Sequence, residues 1–146
     1  MKTLAICFTA AFAFGLASLS FASAPAWRYA EDASTVYDNK TKLTWQKATN
    51  PTTEVWSSAR SYCSNLGKTL GGTGWRLPTI RELLSIVDFT AQPPAIDPAL
   101  PLSWAKTMWS ATTAAADSNS AWTVSFSAGA TTTYVKNTLL YVRCVR

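Results

Sequence analysis

The chain carries no histidine, and this bounds what its other reactive side chains can do. A serine or cysteine nucleophile has no imidazole to activate it. Zinc, copper or non-haem iron held through histidine has no ligand set. Of the three cysteines, Cys7 lies in an apolar N-terminal run, too early for a lipoprotein cysteine. That leaves Cys63 and Cys144. In an oxidising compartment such a pair forms a bridge; two buried thiols or an intermolecular bridge are the alternatives. Closing a loop of about 80 residues is worth about 4.5 kcal/mol in the chain-entropy model. A bridged pair leaves no thiolate for catalysis.

The carboxylates point the same way. Glu82 belongs to a helix start, and Asp88, Asp97 and Asp117 fall in loops. Calcium accepts such oxygens, but the spacing is not that of an EF-hand, and surface solvation is their expected role. A hydrolase with paired carboxylates needs two of them in one cleft, and nothing in the spacing suggests it. Gly71-Gly72-Thr73-Gly74 lacks the lysine and the preceding strand of a phosphate-binding loop. The expectation is therefore no catalytic residue, no metal, no cofactor and no enzyme.

Tryptophan is abundant, with seven residues. Trp45, Trp75, Trp109 and Trp122 fall on expected strands or beside a helix start and read as core. Trp104 stands beside Lys106 in a proline-rich loop, where it either anchors the loop or offers a face to a sugar. The net charge is +5. Its bases are scattered, the densest group being Lys40-Thr41-Lys42 with Lys47. That is not the dense stripe of a nucleic-acid binder; it suits ordinary solubility or an anionic surface polymer.

The elements that must position these residues begin after a leader. Lys2 precedes an uncharged run over residues 4–21, and small residues gather at Ser20-Phe21-Ala22-Ser23-Ala24-Pro25-Ala26. This order reads as a secretory signal peptide over residues 1–24, followed by one domain over residues 25–146. The small-residue exit and the lack of a basic flank argue against a membrane anchor, so no span is expected after cleavage. Cleavage after Ala24 would leave Pro25 first, so cleavage after Ala22 or Ala26 is also open. The address is secreted, periplasmic or cell-surface.

Thr35-Val36-Tyr37 and Lys42-Leu43-Thr44-Trp45-Gln46 flank turn residues and predict a hairpin. Thr52 or Thr53 can cap a helix whose inner face is Val55, Ala59, Tyr62, Cys63 and Leu66, ended by Gly67. Thr79 and Glu82 form a capping box for a second helix facing inward through Ile80, Leu83, Leu84 and Val87. Residues 88–106 hold four of the seven prolines and predict a long irregular loop of the kind often used functionally. Met108-Trp109-Ser110, alternating residues around Trp122, Val124 and Phe126, alternating residues around Thr132, Tyr134 and Lys136, and residues 139–145 predict strands with one buried face. Residues 111–120 read as a loop. The fold class is α+β: two helices on one mostly antiparallel sheet, with the first hairpin and the last strand in that sheet.

The runs Gly74-Trp75-Arg76-Leu77-Pro78-Thr79, Glu82-Leu83, Leu43-Thr44-Trp45-Gln46, Trp109-Ser110-Ala111-Thr112, Ala121-Trp122-Thr123-Val124-Ser125-Phe126 and Tyr141-Val142-Arg143-Cys144-Val145-Arg146 closely resemble the C-terminal domain of the Legionella collagen-like protein. So does Ala59-x-x-Tyr62-Cys63-x-x-Leu66. The resemblance spans residues 35–146. It implies a C-type-lectin-like fold related to the formylglycine-generating enzyme, a Cys63–Cys144 pairing and a bacterial surface protein. Some relatives adhere to sulfated glycosaminoglycans. The chain lacks the collagen-like repeat, the Glu-Pro-Asn or Gln-Pro-Asp motif of animal lectins, and the spare cysteines and histidines of the fold's enzymes. Such a fold implies ligand contact by Trp104, Lys106, Asn119, Tyr134, Lys136 and Asn137. The expected role is a noncatalytic binding domain, adhesin-like, for a surface polysaccharide or a surface protein and not for nucleic acid. A subunit of a surface appendage is the alternative, and an enzyme of the formylglycine-generating kind is a weaker one.

Overall fold

The computed structural model describes residues 25–91 and 93–146. The expected signal peptide and Cys7 lie outside the described residues. Two antiparallel three-stranded sheets carry the fold. The first runs β1 (Tyr29–Glu31), β2 (Thr35–Asp38) and β3 (Leu43–Gln46); the second runs β4 (Thr107–Thr113), β5 (Ser120–Ser125) and β6 (Ala130–Val135). Between them lie α1 (Trp56–Asn65), the short α2 (Gly67–Leu70) and α3 (Ile80–Ser85).

The expected hairpin is β2 and β3, in register Val36↔Trp45. Its turn is held by the buried Asp38, which accepts from Lys40 N and Thr41 Oγ1, both at 2.9 Å. Arg28 pairs with the same carboxylate at 3.1 Å. Burial works to raise the Asp38 carboxyl, but the Arg28 guanidinium and the turn donors outweigh it and hold the group low.

Helix α1 buries Ala59 and Cys63, as its spacing predicts. Neither Thr52 nor Thr53 caps it. The chain is still extended at Glu54, which exchanges backbone bonds with Leu140, so the helix starts at Trp56 behind Val55. It stops at Asn65, just before Gly67, and the short α2 that follows ends at Gly71, whose φ of 73° suits glycine. The capping box of α3 forms in both directions between Thr79 and Glu82. Arg76 grips the same Glu82 carboxylate through two bonds of 2.7 Å. These bonds outweigh burial, which works to raise it, and hold that carboxyl below its ordinary value.

Strands β4 and β5 of the second sheet are covered on both faces. Met108, Val124 and Phe126 pack with α3 residue Leu83 and the first hairpin in one cluster. Trp109 and Ala121 face α1 and the bridge in another. Cys63 and Cys144 are bonded, with Cα atoms 5.4 Å apart and both side chains fully buried. One bond thus ties the inner face of α1 to the end of the chain.

Four expectations need correction. There are two sheets rather than one. Residues 139–145 form single bridges, not a strand: Val145 pairs with Trp45 and with Arg76, and Tyr141 lies parallel to Met108. They stitch the two sheets together. Strand β4 reaches Thr113, so the following loop is shorter than residues 111–120. Strand β6 has no buried face; all six residues are exposed, because it is the sheet's edge and nothing packs over it. The proline-rich segment is the irregular loop expected, and part of it also enters the core: Ala95, Ile96, Ala99 and Leu100 are buried and plug the space between the hairpin and the second sheet.

Candidate ligand-binding site

The side chains that can meet a ligand converge on Trp56, the first residue of α1. Its backbone N–H donates to Lys136 O at 2.9 Å, which satisfies a helix-start donor from outside the helix. Its indole Nε1 donates to Ser110 O at 2.8 Å. The first bond anchors the helix start to the residue just beyond β6, and the second ties the ring to β4. Lys136 Nζ lies 4.3 Å from the ring centroid and donates to Ser118 O at 2.7 Å. Arg60, one helical turn on, places its guanidinium carbon 4.9 Å from the same centroid. Beside this group runs an open groove of about 310 Å³ lined by Trp56, Ser57, Arg60, Ser61 and Ser64.

The residues expected to contact a ligand divide into two groups. Lys136 N donates to Asn119 O at 2.8 Å, so Asn119 and Lys136 are neighbours, with Asn137 exposed next to them. Tyr134 is exposed two positions back on β6, on the same side of the strand as Lys136. At the other end of β5, Phe126 N donates to Lys106 O at 2.9 Å. At about 3.4 Å per residue the two ends are roughly 20 Å apart. Trp104 is 77% exposed there and shares no surface with the Trp56 group. Lys106 turns inward, with Nζ 4.2 Å from the Tyr141 centroid and 3.2 Å from Thr49 Oγ1. Burial first, and then the charge of Arg143, lower its pKa.

Trp56, Arg60 and the three serines were not among the residues expected to bind. Their signal is local and legible: positions 57, 60, 61 and 64 are the outer face of the helix whose inner face is Ala59 and Cys63. What no spacing reveals is Lys136 arriving on the ring from the far side of the chain.

Arg143 was also missed. It is fully buried, and its guanidinium donates to backbone carbonyls: Lys47 O at 2.9 Å, Pro101 O at 2.8 Å, and Gln46 O and Leu100 O at 3.3 and 3.4 Å. It ties the exit of β3 to the proline-rich plug. Burial pushes its pKa down to about 9, which leaves it charged at neutral pH. Asp88 and Asp117 serve their own turns, accepting from Thr90 and from Asn119 and Ser120, and Asp97 accepts from Ala99 N. Among the described residues no group of three or more acidic or cysteine side chains is gathered as a metal site would need.

Residues 34–146 match the family described as the Lcl C-terminal domain. The chain belongs to the Lcl C-terminal domain family. No curated protein matches it. The matched residues take in both sheets except β1, all three helices and the bridge, so this member of the Lcl C-terminal domain family carries the Trp56 group wholly within the family's span. Among the described residues no helix is long and apolar enough to cross a membrane.

Proposed function

We propose that this Lcl C-terminal domain is an exported, noncatalytic binding module that recognises an anionic surface polysaccharide in the groove beside Trp56. The observation that carries the reading is the pairing of two cations, Arg60 and Lys136, on one fixed indole, beside a wall of three serine hydroxyls. Sulfate or carboxylate groups on a sugar want such cations, and hydroxyls suit sugar oxygens. Each cation here rests on a ring worth about 0.5–1 kcal/mol to an exposed charge, so an anion competes easily for it. A chain without histidine and with its two remaining cysteines joined leaves binding as the natural use of the site.

The α+β arrangement, with a helix cysteine joined to the chain's final segment, supports a C-type-lectin-like fold. Membership of the Lcl family supports a bacterial surface or secreted location. Secretion of the mature domain, a glycan array and a heparin column test the proposal together. The expected result is binding to sulfated or uronate-rich glycans, with retention that weakens as salt rises. The double variant R60A/K136A should lose that retention while its circular dichroism stays unchanged. If the wild-type domain binds no anionic glycan and salt leaves its elution unmoved, the reading fails.

A further inference from the structure

Lys136 does not reach the Trp56 ring unaided. It is gripped twice by the turn that leads into β5. Lys136 N donates to Asn119 O at 2.8 Å, and Lys136 Nζ donates to Ser118 O at 2.7 Å. The first bond fixes the backbone of the lysine and the second fixes its ammonium. Held at both ends, the flexible four-carbon stem keeps its ammonium 4.3 Å from the indole centroid.

One side chain closes that turn. Asp117 Oδ1 accepts from Asn119 N at 2.9 Å, and Asp117 Oδ2 accepts from Ser120 Oγ at 2.6 Å. The backbone of Asp117 completes it, its C=O accepting from Ser120 N at 3.0 Å. An aspartate that bonds the backbone two residues on imposes a turn from local chemistry alone. Here that turn presents two consecutive carbonyls, Ser118 O and Asn119 O, to a single lysine. The carboxylate also lies in the field of that lysine. The Ser120 hydroxyl, and then the Asn119 N–H, hold the Asp117 carboxyl below its ordinary value, and the charge of Lys136 adds to them.

Arg60 is placed differently. It is exposed, and among the described residues it takes part in no ion pair. Its guanidinium rests on the ring, 4.9 Å from the centroid. One cation of the site is therefore anchored and offset by a carboxylate, and the other is neither.

We propose that Asp117 is a positioning residue of the Trp56 site: by closing the 117–120 turn it holds Lys136 on the indole, and by its charge it offsets Lys136 and leaves Arg60 to take the anion. This rests on the binding reading above and refines it. The pinned ammonium has given one of its three donors to Ser118 O. The guanidinium keeps a planar fork that matches a carboxylate or sulfate with two parallel bonds. A carboxylate beside the site also repels anions that do not engage that fork, and a built-in repulsion of this kind is one source of specificity.

Two substitutions separate the two roles on the mature protein. D117N keeps an oxygen for the Asn119 N–H and removes the charge; D117A removes both. D32N is the charge control, since it changes the net charge equally in an exposed turn of the first sheet. Asp117 is itself exposed, so both variants should fold, which circular dichroism checks. The first readout is the nuclear Overhauser contact between the Lys136 ε-methylene and the Trp56 ring. It should be present in wild type and in D117N and lost in D117A. The second is elution from a heparin column. D117N should elute at higher salt than D32N, and D117A at lower salt than D117N. A Lys136–Trp56 contact that survives D117A overturns the inference. So does equal elution of D117N and D32N, which would make the charge effect unspecific. A wild-type domain with no retention at all sinks the binding reading instead, and the Lys136–Trp56 contact still tests the positioning.

Discussion

Opening the Cys63–Cys144 bridge is the most quantitative perturbation the fold offers. The bridge closes a loop of 81 residues. In the chain-entropy model a loop of that length restricts the unfolded chain by about 4.5 kcal/mol. Both cysteines are fully buried between α1 and the chain's final segment. Replacing them with alanine removes two sulfurs from a packed cluster and adds a smaller packing loss. A domain of this size has a total stability of about 5–15 kcal/mol, so the bridge accounts for a large share. At roughly 4 °C per kcal/mol for a domain near this length, the double variant C63A/C144A should melt about 20 °C lower. Urea unfolding of the oxidised protein, the reduced protein and the double variant separates the two contributions. Reduction alone isolates chain entropy, and the difference between reduced and double variant isolates packing. A steeper urea dependence on reduction is also expected, because the unbridged chain exposes more surface when unfolded. A loss below about 1 kcal/mol on complete reduction would refute the reasoning. It would mean that β3, Arg76 and the final segment hold the chain's end without the bridge.

Three further outcomes follow from buried or paired groups. R143M strips the donors from four backbone carbonyls and should cost about 3 kcal/mol in urea unfolding; R143K should recover little, since an ammonium cannot serve carbonyls on both Lys47 and Pro101 as a fork does. Asp38 and Glu82 both titrate lower in the fold than in the open chain, so the unfolded state takes up their protons first. The stability they contribute is present above about pH 4 and is lost as pH falls through their lower folded values; D38N and E82Q should flatten that acid limb in a pH series of melting curves. G129A should destabilise by about 1–2 kcal/mol, because its φ of 71° suits glycine and a Cβ there would run into Val87 and Phe89; a thermal melt reads it directly.

Much of the local structure was legible in the residues. The hairpin could be read because Asp38-Asn39-Lys40-Thr41 is turn chemistry between two apolar runs, and Asp38 closes that turn with its own side chain. The capping box could be read because Thr79 and Glu82 reach each other within one helical turn. The buried face of α1 followed from spacing alone, and with it the position of Cys63. Where the reading slipped, a distant partner had overruled a local signal. Thr52 and Thr53 are good caps, but Leu140 keeps Glu54 extended and moves the helix start. The alternation of Thr132, Tyr134 and Lys136 is real, yet no element covers either face of β6. The proline-rich loop is irregular as read, but no local signal told that its Ile96 and Leu100 fill the core.

The candidate site was legible in part for the same reason. Asn119, Tyr134, Lys136 and Asn137 share one end of the second sheet, because hairpin pairing brings residues close in sequence together. Trp104 and Lys106 were drawn from the other end of that sheet, which sequence order does not reveal. The sequence by itself determined the chemistry that is available: no histidine, two cysteines at a spacing that allows a staple, a basic surface, and elements set by turns, caps and periodicity. Those are properties of composition or of contacts within a few residues. Only the tertiary structure decided that Lys136 and Arg60 share one indole, that Arg143 is buried among carbonyls, and that β6 is left open. Each of these joins or separates segments far apart along the chain, and which segments meet is a matter of how two sheets and their helices pack.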